Sequence, residues 1–140
     1  MDERIKALKE WAGEDAEIEE QGWDHWGLPV YMVDGQEVAI GTKEEAKEAA
    51  KANIEESAWA FNASFILNHC DLPYELEECL EGFQQAKCEG ANEAILALID
   101  KCGDRDQFVD EAIDADGIGH FLDQWDGEGD EANDYLIFRV

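Results

Sequence analysis

Apolar residues recur along most of this chain at helical intervals. Ile5, Leu8, Trp11 or Ala12, and Ile18 are spaced by threes and fours, so residues 3–20 read as a helix. Its apolar stripe is thin and frays after Gly13. Gly22-Trp23-Asp24-His25-Trp26-Gly27-Leu28-Pro29 follows as an aromatic loop bounded by glycines. The period then changes. Val30–Val33 and Gln36–Ile40 are β-rich runs joined by Asp34-Gly35, a dipeptide that accepts positive φ, and together they predict a hairpin. Val30 and Met32 are expected to share a face with Val38 and Ile40.

Helical spacing returns after Gly41. Thr42-Lys-Glu-Glu45 is a capping-box pattern, and Ala46, Ala50, Ile54, Ala58, Phe61 and Phe65 continue it as a core stripe with a break near Asn62. Asp71-Leu-Pro73 caps a further helix ending near Gly90, with Leu76, Leu80 and Phe83 expected inward. Ala91, Ala94, Ile95, Leu98, Ile99 and Cys102 give an amphipathic helix closed by Gly103. Asp104 caps another helix that buries Phe108, Val109, Ala112 and Ile113. Gly117 and Gly119 punctuate it, and a short turn carries Phe121, Leu122 and Trp125. After the loop Asp126-Gly-Glu-Gly-Asp-Glu131, the alternating tail Tyr135-Leu-Ile-Phe-Arg-Val140 reads as a strand.

A two-stranded hairpin alone is marginal, so the tail is expected to join it as a third antiparallel strand. The predicted fold is α+β: a small three-stranded antiparallel sheet packed on four to six helices. No repeat and no composition break is visible, and 140 residues is a common single-domain length, so residues 1–140 are expected to form one domain. With 45% hydrophobic residues, 10% aromatics and five Trp, the chain has what a folded core needs and lacks the signature of disorder.

Charge changes the picture. Thirty-six Asp+Glu face ten Lys+Arg, a formal charge of −26 with a pI near 4.1. Such a surface repels nucleic acid and anionic lipid, and attracts basic proteins more strongly at low salt. A globule of this length is roughly 35–40 Å across. Duplex DNA carries roughly two dozen charges over that span, at one per ~1.7 Å. Halophilic adaptation would also give excess acid. It usually favours Arg over Lys, whereas here Lys outnumbers Arg seven to three.

The acid concentrates between residues 104 and 134, where twelve carboxylates face Arg105 alone. Asp104, Asp106, Asp110, Asp114, Asp116, Asp123, Asp126, Glu128, Asp130 and Glu131 are the candidate contact residues for a partner. Asp106, Asp110 and Asp114 repeat at i, i+4, a spacing at which like charges mildly destabilise a helix. The alternatives are a solvated face or carboxylates standing where a partner expects phosphates. Trp23, Trp26 and Trp125 are candidate aromatic anchors, or core residues.

Catalytic and metal chemistry find little support. There is no CxxC, HExxH, GxSxG, Walker or GxGxxG pattern. His69 and Cys70 are adjacent, and helical neighbours point apart. Asp126, Glu128 and Asp130 alternate as in a calcium loop, but Glu131 and Ile137 stand where that loop needs Gly and Glu. No catalytic residue, metal or cofactor is expected; the third-ranked alternative is a small enzyme using His120 or Cys70. Cys70, Cys79, Cys88 and Cys102 read as buried free thiols of a reducing cytosol, with helix-to-helix disulfides as the alternative. The Met-Asp-Glu-Arg-Ile-Lys start has no secretory apolar stretch, so a cytoplasmic protein is expected.

Two stretches carry a resemblance. Gly41-Thr42-Lys-Glu-Glu-Ala46 through Ser57-Ala-Trp59-Ala-Phe61-Asn62, and Gly119-His120-Phe-Leu122 with Trp125-Asp126-Gly127 and Tyr135-Leu-Ile-Phe-Arg139, resemble small acidic proteins encoded by phages and prophages. They cover roughly a third of the chain. The resemblance implies a phage setting, hence a host-cell cytoplasm, and no particular activity. In charge and size the chain is also similar to DNA-mimic anti-defence proteins, which block restriction or CRISPR machinery by occupying nucleic-acid grooves. Sequence and resemblance lead to one expectation: a non-enzymatic inhibitor or regulator of a basic, nucleic-acid-binding host protein. The alternative is an acidic protein whose charge serves solubility or assembly, and a homodimer stays open.

Overall fold

Three tight turns with left-handed backbone build the sheet of this α+β protein. A computed structural model describes residues 2–140. Trp26-Gly27 (φ 53° and 93°), Asp34-Gly35 (49° and 86°) and Asn133-Asp134 (49° and 71°) each have positive φ at both positions. They are flanked by the strand pairs His25–Leu28, Val33–Gln36 and Ala132–Tyr135. Two-residue loops of this kind match the right-handed twist of the strands they join. Only Asp-Gly announces itself in sequence; the other two place bulky or polar residues where glycine is favoured.

The chain divides into two compact units, residues 2–53 with 116–140, and Ile54–Ala115. The first contains the sheet: β1 (Ile18–His25), β2 (Leu28–Val33), β3 (Gln36–Thr42), β4 (Asp130–Ala132) and β5 (Tyr135–Arg139). Every neighbouring pair is antiparallel, in the order β1-β2-β3-β5-β4. The tail is therefore a strand against the hairpin, as expected, but the sheet has five strands where three were predicted. β1 was hidden because it is an edge strand, with Glu19, Glu20, Gly22, Trp23 and Asp24 exposed. β4 is three residues of an acidic loop, defined only by its pairing with β5.

The N-terminal helix is shorter than its periodicity suggested. α1 (Glu3–Ala12) opens where Arg4 N–H donates to Asp2 Oδ1 at 2.8 Å, and it stops at Gly13, whose φ of 117° a side chain disfavours. Ile18, read as helical, begins β1 instead. Glu17 N–H donates to the Asp34 side chain at 2.8 Å and Asp34 N–H to the Glu17 carbonyl at 2.9 Å, which anchors the start of β1 to the Asp-Gly turn.

The hairpin register also corrects the expected face. Because Val33 pairs with Gln36, Tyr31 pairs with Val38 and Val30 with Ala39. Tyr31 and Val33, not Val30 and Met32, share a face with Val38 and Ile40. Ala7 and Leu8 of α1 pack on that face with Ile137 and Ala132, and Ile5, Trp11 and Tyr135 close its rim. The opposite face buries Leu28, Val30, Ala39 and Phe138. A side chain on Gly41 would meet Leu28 Cδ2 at 2.5 Å, so β3 carries glycine there.

β3 runs into α2 (Lys43–Glu56) through the predicted capping box: Glu45 N–H donates to Thr42 Oγ1 at 3.1 Å, and Thr42 N–H donates to Glu45 Oε1 at 2.9 Å. Arg4 donates to both oxygens of the same carboxylate, at 2.9 and 2.8 Å.

The second unit is helical. A 3₁₀ turn (Ala58–Ala60) and Asn62 interrupt the stripe where expected, before α3 (Ala63–His69). α4 (Glu77–Lys87), α5 (Asn92–Cys102) and α6 (Arg105–Asp116) follow, the last ending one residue past the unit, and α7 (Ile118–Leu122) belongs to the first unit, against β5. Phe61, Phe65 and Phe108 form a triangle of rings with centroids 5.2–5.8 Å apart. Arg105 donates to Asp100 at 3.0 and 2.6 Å and to Glu55 at 2.8 Å. Those hydrogen bonds, Asp100 first, raise an already high guanidinium pKa.

α4 turns a different face inward from the one its apolar spacing predicts. Leu76 and Phe83 are exposed and Leu80 is half-buried; the buried residue of α4 is Gln84. Its amide donates to the carbonyls of Trp59 (2.9 Å) and Phe61 (2.7 Å), where the helix break frees backbone acceptors. Satisfying those carbonyls fixes the rotation of α4, and the apolar stripe turns away from the body.

Candidate functional site

α6 begins where Gln107 N–H donates to Asp104 Oδ1 at 3.0 Å, the N-cap expected from sequence. Phe108, Val109 and Ala112 are buried, which leaves Asp104, Asp106, Asp110 and Asp114 exposed, with Asp116 exposed at the end. Asp106, Asp110 and Asp114 recur about every 6 Å along the axis. Asp106 and Asp110 also have interaction partners within the protein. The helical unit around this row holds 15 acids and three bases, and one of those bases is Arg105, bound by Glu55 and Asp100.

The second half of the predicted acidic segment is built differently and belongs to the sheet unit. Asp123 is buried, not a surface group: its carboxylate accepts from the N–H groups of Trp125 (2.9 Å), Asp126 (3.1 Å) and Arg139 (3.0 Å). Burial works to raise its pKa. Backbone N–H groups of Arg139, Trp125, Asp126 and Gly127 outweigh that and hold the carboxyl below its ordinary range. Asp126 accepts from Glu128 N–H at 3.0 Å. Asp130 accepts from the Trp11 indole at 2.9 Å and pairs with Arg139 at 3.2 Å, while Glu131 lies 3.5 Å from Lys43. Of this loop, Asp126, Glu128 and Glu131 are exposed.

The three candidate tryptophans are distinct. Trp125 is 71% exposed and rests on the Arg139 guanidinium, 4.5 Å from its ring centre. Arg139 also approaches the Trp11 ring at 5.3 Å. Trp23 is 46% exposed in the bulge of β1 between Glu20 and Asp24. Trp26 occupies the first corner of its turn and is half-buried. Arg139, which fixes Trp125, carried no signal in the sequence beyond being a lone base in an acidic tail.

The remaining reactive groups are dispersed. His25 is buried with Nε2 2.9 Å from the Leu122 carbonyl; burial lowers its pKa, and the carbonyl acts against that. His69 Nδ1 lies 2.6 Å from Glu111. His120 is exposed against Phe121, in the sheet unit, whereas Cys70 belongs to the helical one. All four cysteines are free, but only Cys70 is buried, which corrects the expectation of four buried thiols. Burial pushes the Cys70 thiol up. Among the described residues, no group of three or more His, Cys, Asp or Glu could hold a metal ion, and no helix is long and apolar enough to cross a membrane.

Comparisons with protein-family models, with curated proteins and with solved structures found no match.

Proposed function

We propose that this chain is an acidic binding protein that engages a basic, nucleic-acid-handling protein and inhibits or regulates it, in the manner of a phage-encoded anti-defence protein. The observation that carries the reading is the carboxylate row of α6. Asp106, Asp110 and Asp114 are exposed on one face of a helix whose other side is locked by Phe108, Val109 and Ala112, while Asp104, also exposed, caps its start. Three carboxylates at intervals of about 6 Å along the axis give a line of charge about half as dense as one DNA strand, which has one phosphate per ~3.4 Å. Rigid presentation matters, because a basic groove binds charges already in place at least entropic cost.

The deciding experiment is affinity capture from a bacterial host lysate at 50 and 500 mM salt, with wild type and with Asp106→Asn/Asp110→Asn/Asp114→Asn. Basic nucleic-acid-binding proteins recovered by the wild type at low salt, displaced by duplex DNA and lost with the triple variant, are the expected result. Identical recovery by both proteins, or indifference to competing DNA, overturns the reading.

A second reading has its own observation. β1 is an open sheet edge lined by Glu19, Glu20 and Asp24, and charge on such an edge prevents pairing with another chain. Part of the acidity would then serve solubility.

A further inference from the structure

The acidic surface alone does not account for α4. The 3₁₀ turn Tyr74–Leu76 and the helix after it expose Tyr74 (78%), Leu76 (42%) and Phe83 (37%). Cys79 is exposed beside them and Leu80 half-buried. Leu76, Leu80 and Phe83 stand at i, i+4 and i+7, one continuous stripe of a helix. Its orientation is not an accident of weak packing. Gln84, hydrogen-bonded to Trp59 and Phe61, holds the helix to the body, and Leu76 and Phe83 lie roughly a quarter turn round from it. An aromatic–aliphatic stripe left to solvent by a fixed rotation marks an interaction surface more than a scattered exposed leucine would.

The flanks of the stripe decide what covers it. Exposed Glu75 and half-buried Glu77 flank its first turn, each about 100° round the axis, Glu78 and Glu81 are exposed farther round, and Lys87, the only base on α4, stands one turn beyond Phe83. A second copy of this chain would bring together two molecules of formal charge −26 each. Anionic lipid and nucleic acid are repelled in the same way. An apolar stripe flanked by Glu75 and Glu77, on a helical unit with 15 acids and three bases, fits an amphipathic helix with an apolar face and Lys or Arg on its borders. We propose that α4 is the docking surface for such a basic amphipathic helix of the partner protein, with Leu76 and Phe83 as its apolar contacts. This deepens the proposed function and rests on it: the carboxylates supply attraction, and α4 supplies the apolar complementarity that selects one basic partner among many.

The probe is a fluorescent 18-residue Leu/Lys peptide patterned to form one apolar helical face, titrated by anisotropy against the full chain in 150 mM salt. Its controls are a scrambled peptide of the same composition with no apolar face, and a Leu/Glu peptide of the same pattern. Wild type should bind the patterned peptide at least tenfold tighter than the scrambled one. Leu76→Ser/Phe83→Ser should erase that ratio, and Tyr74→Ser, at a side chain with little contact to lose, should reduce it. Far-UV circular dichroism checks that the variants keep their helices.

Equal affinity for patterned and scrambled peptides overturns the proposal, as does an unchanged ratio in a folded Leu76→Ser/Phe83→Ser. So does a dimer of the wild type by light scattering that this variant dissolves, which would make a second copy the occupant. Lysate capture that survives Leu76→Ser/Phe83→Ser but not the α6 triple variant sinks this inference alone. Capture that the α6 triple variant leaves unchanged sinks the parent reading, and this inference with it.

Discussion

The backbone N–H of Asp104 donates to Nε2 of His69 at 3.1 Å, joining the end of α3 to the start of α6. Accepting that bond leaves the ring hydrogen on Nδ1, where it is donated to Glu111 Oε1 at 2.6 Å. The ring also meets Phe108 edge-on at 5.3 Å, and its side chain is nearly inaccessible to solvent. One imidazole thus secures the helix that presents the acidic row. His69→Ala is expected to lower stability by about 2 kcal/mol or more. Glu111→Gln keeps an acceptor and should cost less than about 1 kcal/mol. Thermal denaturation ranks the two, and equal losses would show that the bond to Glu111, not the packing of the ring, matters there.

A methyl group at position 119 has nowhere to go. The Cβ of an alanine would stand 2.3 Å from the Glu128 carbonyl oxygen and 2.4 Å from its carbon, where α7 lies under the 126–129 loop. Backbone gives way less readily than a side chain, so Gly119→Ala is expected to cost about 2–3 kcal/mol. Urea denaturation reads the loss. Limited proteolysis should show the loop cut faster, and an unaltered cleavage rate contradicts the packing described.

Two buried groups link stability to acid. The Asp123 carboxyl is held low in the fold, so the stability it contributes is complete above the unfolded carboxylate value of about 3.9 and disappears as pH falls through the lowered one. The advantage of wild type over Asp123→Asn should therefore be level from pH 7 to 5 and close only below about pH 4. His25 is also lowered, by burial, so the unfolded chain takes up its proton first and stability drops as pH falls below about 6.5. The advantage of wild type over His25→Gln should shrink over that higher range. Chemical denaturation at stepped pH separates the two windows; a single shared window would refute the assignment.

Open sheet edges invite pairing, and here the edge is β1. Glu19→Gln/Glu20→Gln/Asp24→Asn removes its charge without touching a hydrogen bond of the β1–β2 ladder. Self-association, seen as a rise in scattering mass with concentration, is the expected outcome. A strictly monomeric variant would mean that the bulge and Trp23 protect the edge unaided.

Local chemistry made several elements legible in the sequence. Asp34-Gly35 specifies its turn, Thr42 and Glu45 form their capping box, and Asp104 caps α6, because each acts over two or three residues. β1 escaped notice because an edge strand has too few buried positions to show alternation, and β4 because three residues carry no period. The candidate site divides in the same way. The exposed row on α6 follows from helical spacing, whereas the interior role of Asp123 and the support of Trp125 by Arg139 depend on partners 14 to 16 residues away.

By itself the sequence determined the α+β class, the hairpin, the helix caps and an excess of negative charge, since these follow from composition and near-neighbour geometry. Tertiary structure alone decided the hairpin partner of β1, the rotation of α4 and which carboxylates face solvent. Each of those depends on a polar group finding its hydrogen-bond partner across the fold. For α4 that group is Gln84, whose amide pairs with the Trp59 and Phe61 carbonyls while Leu76 and Phe83 stay exposed.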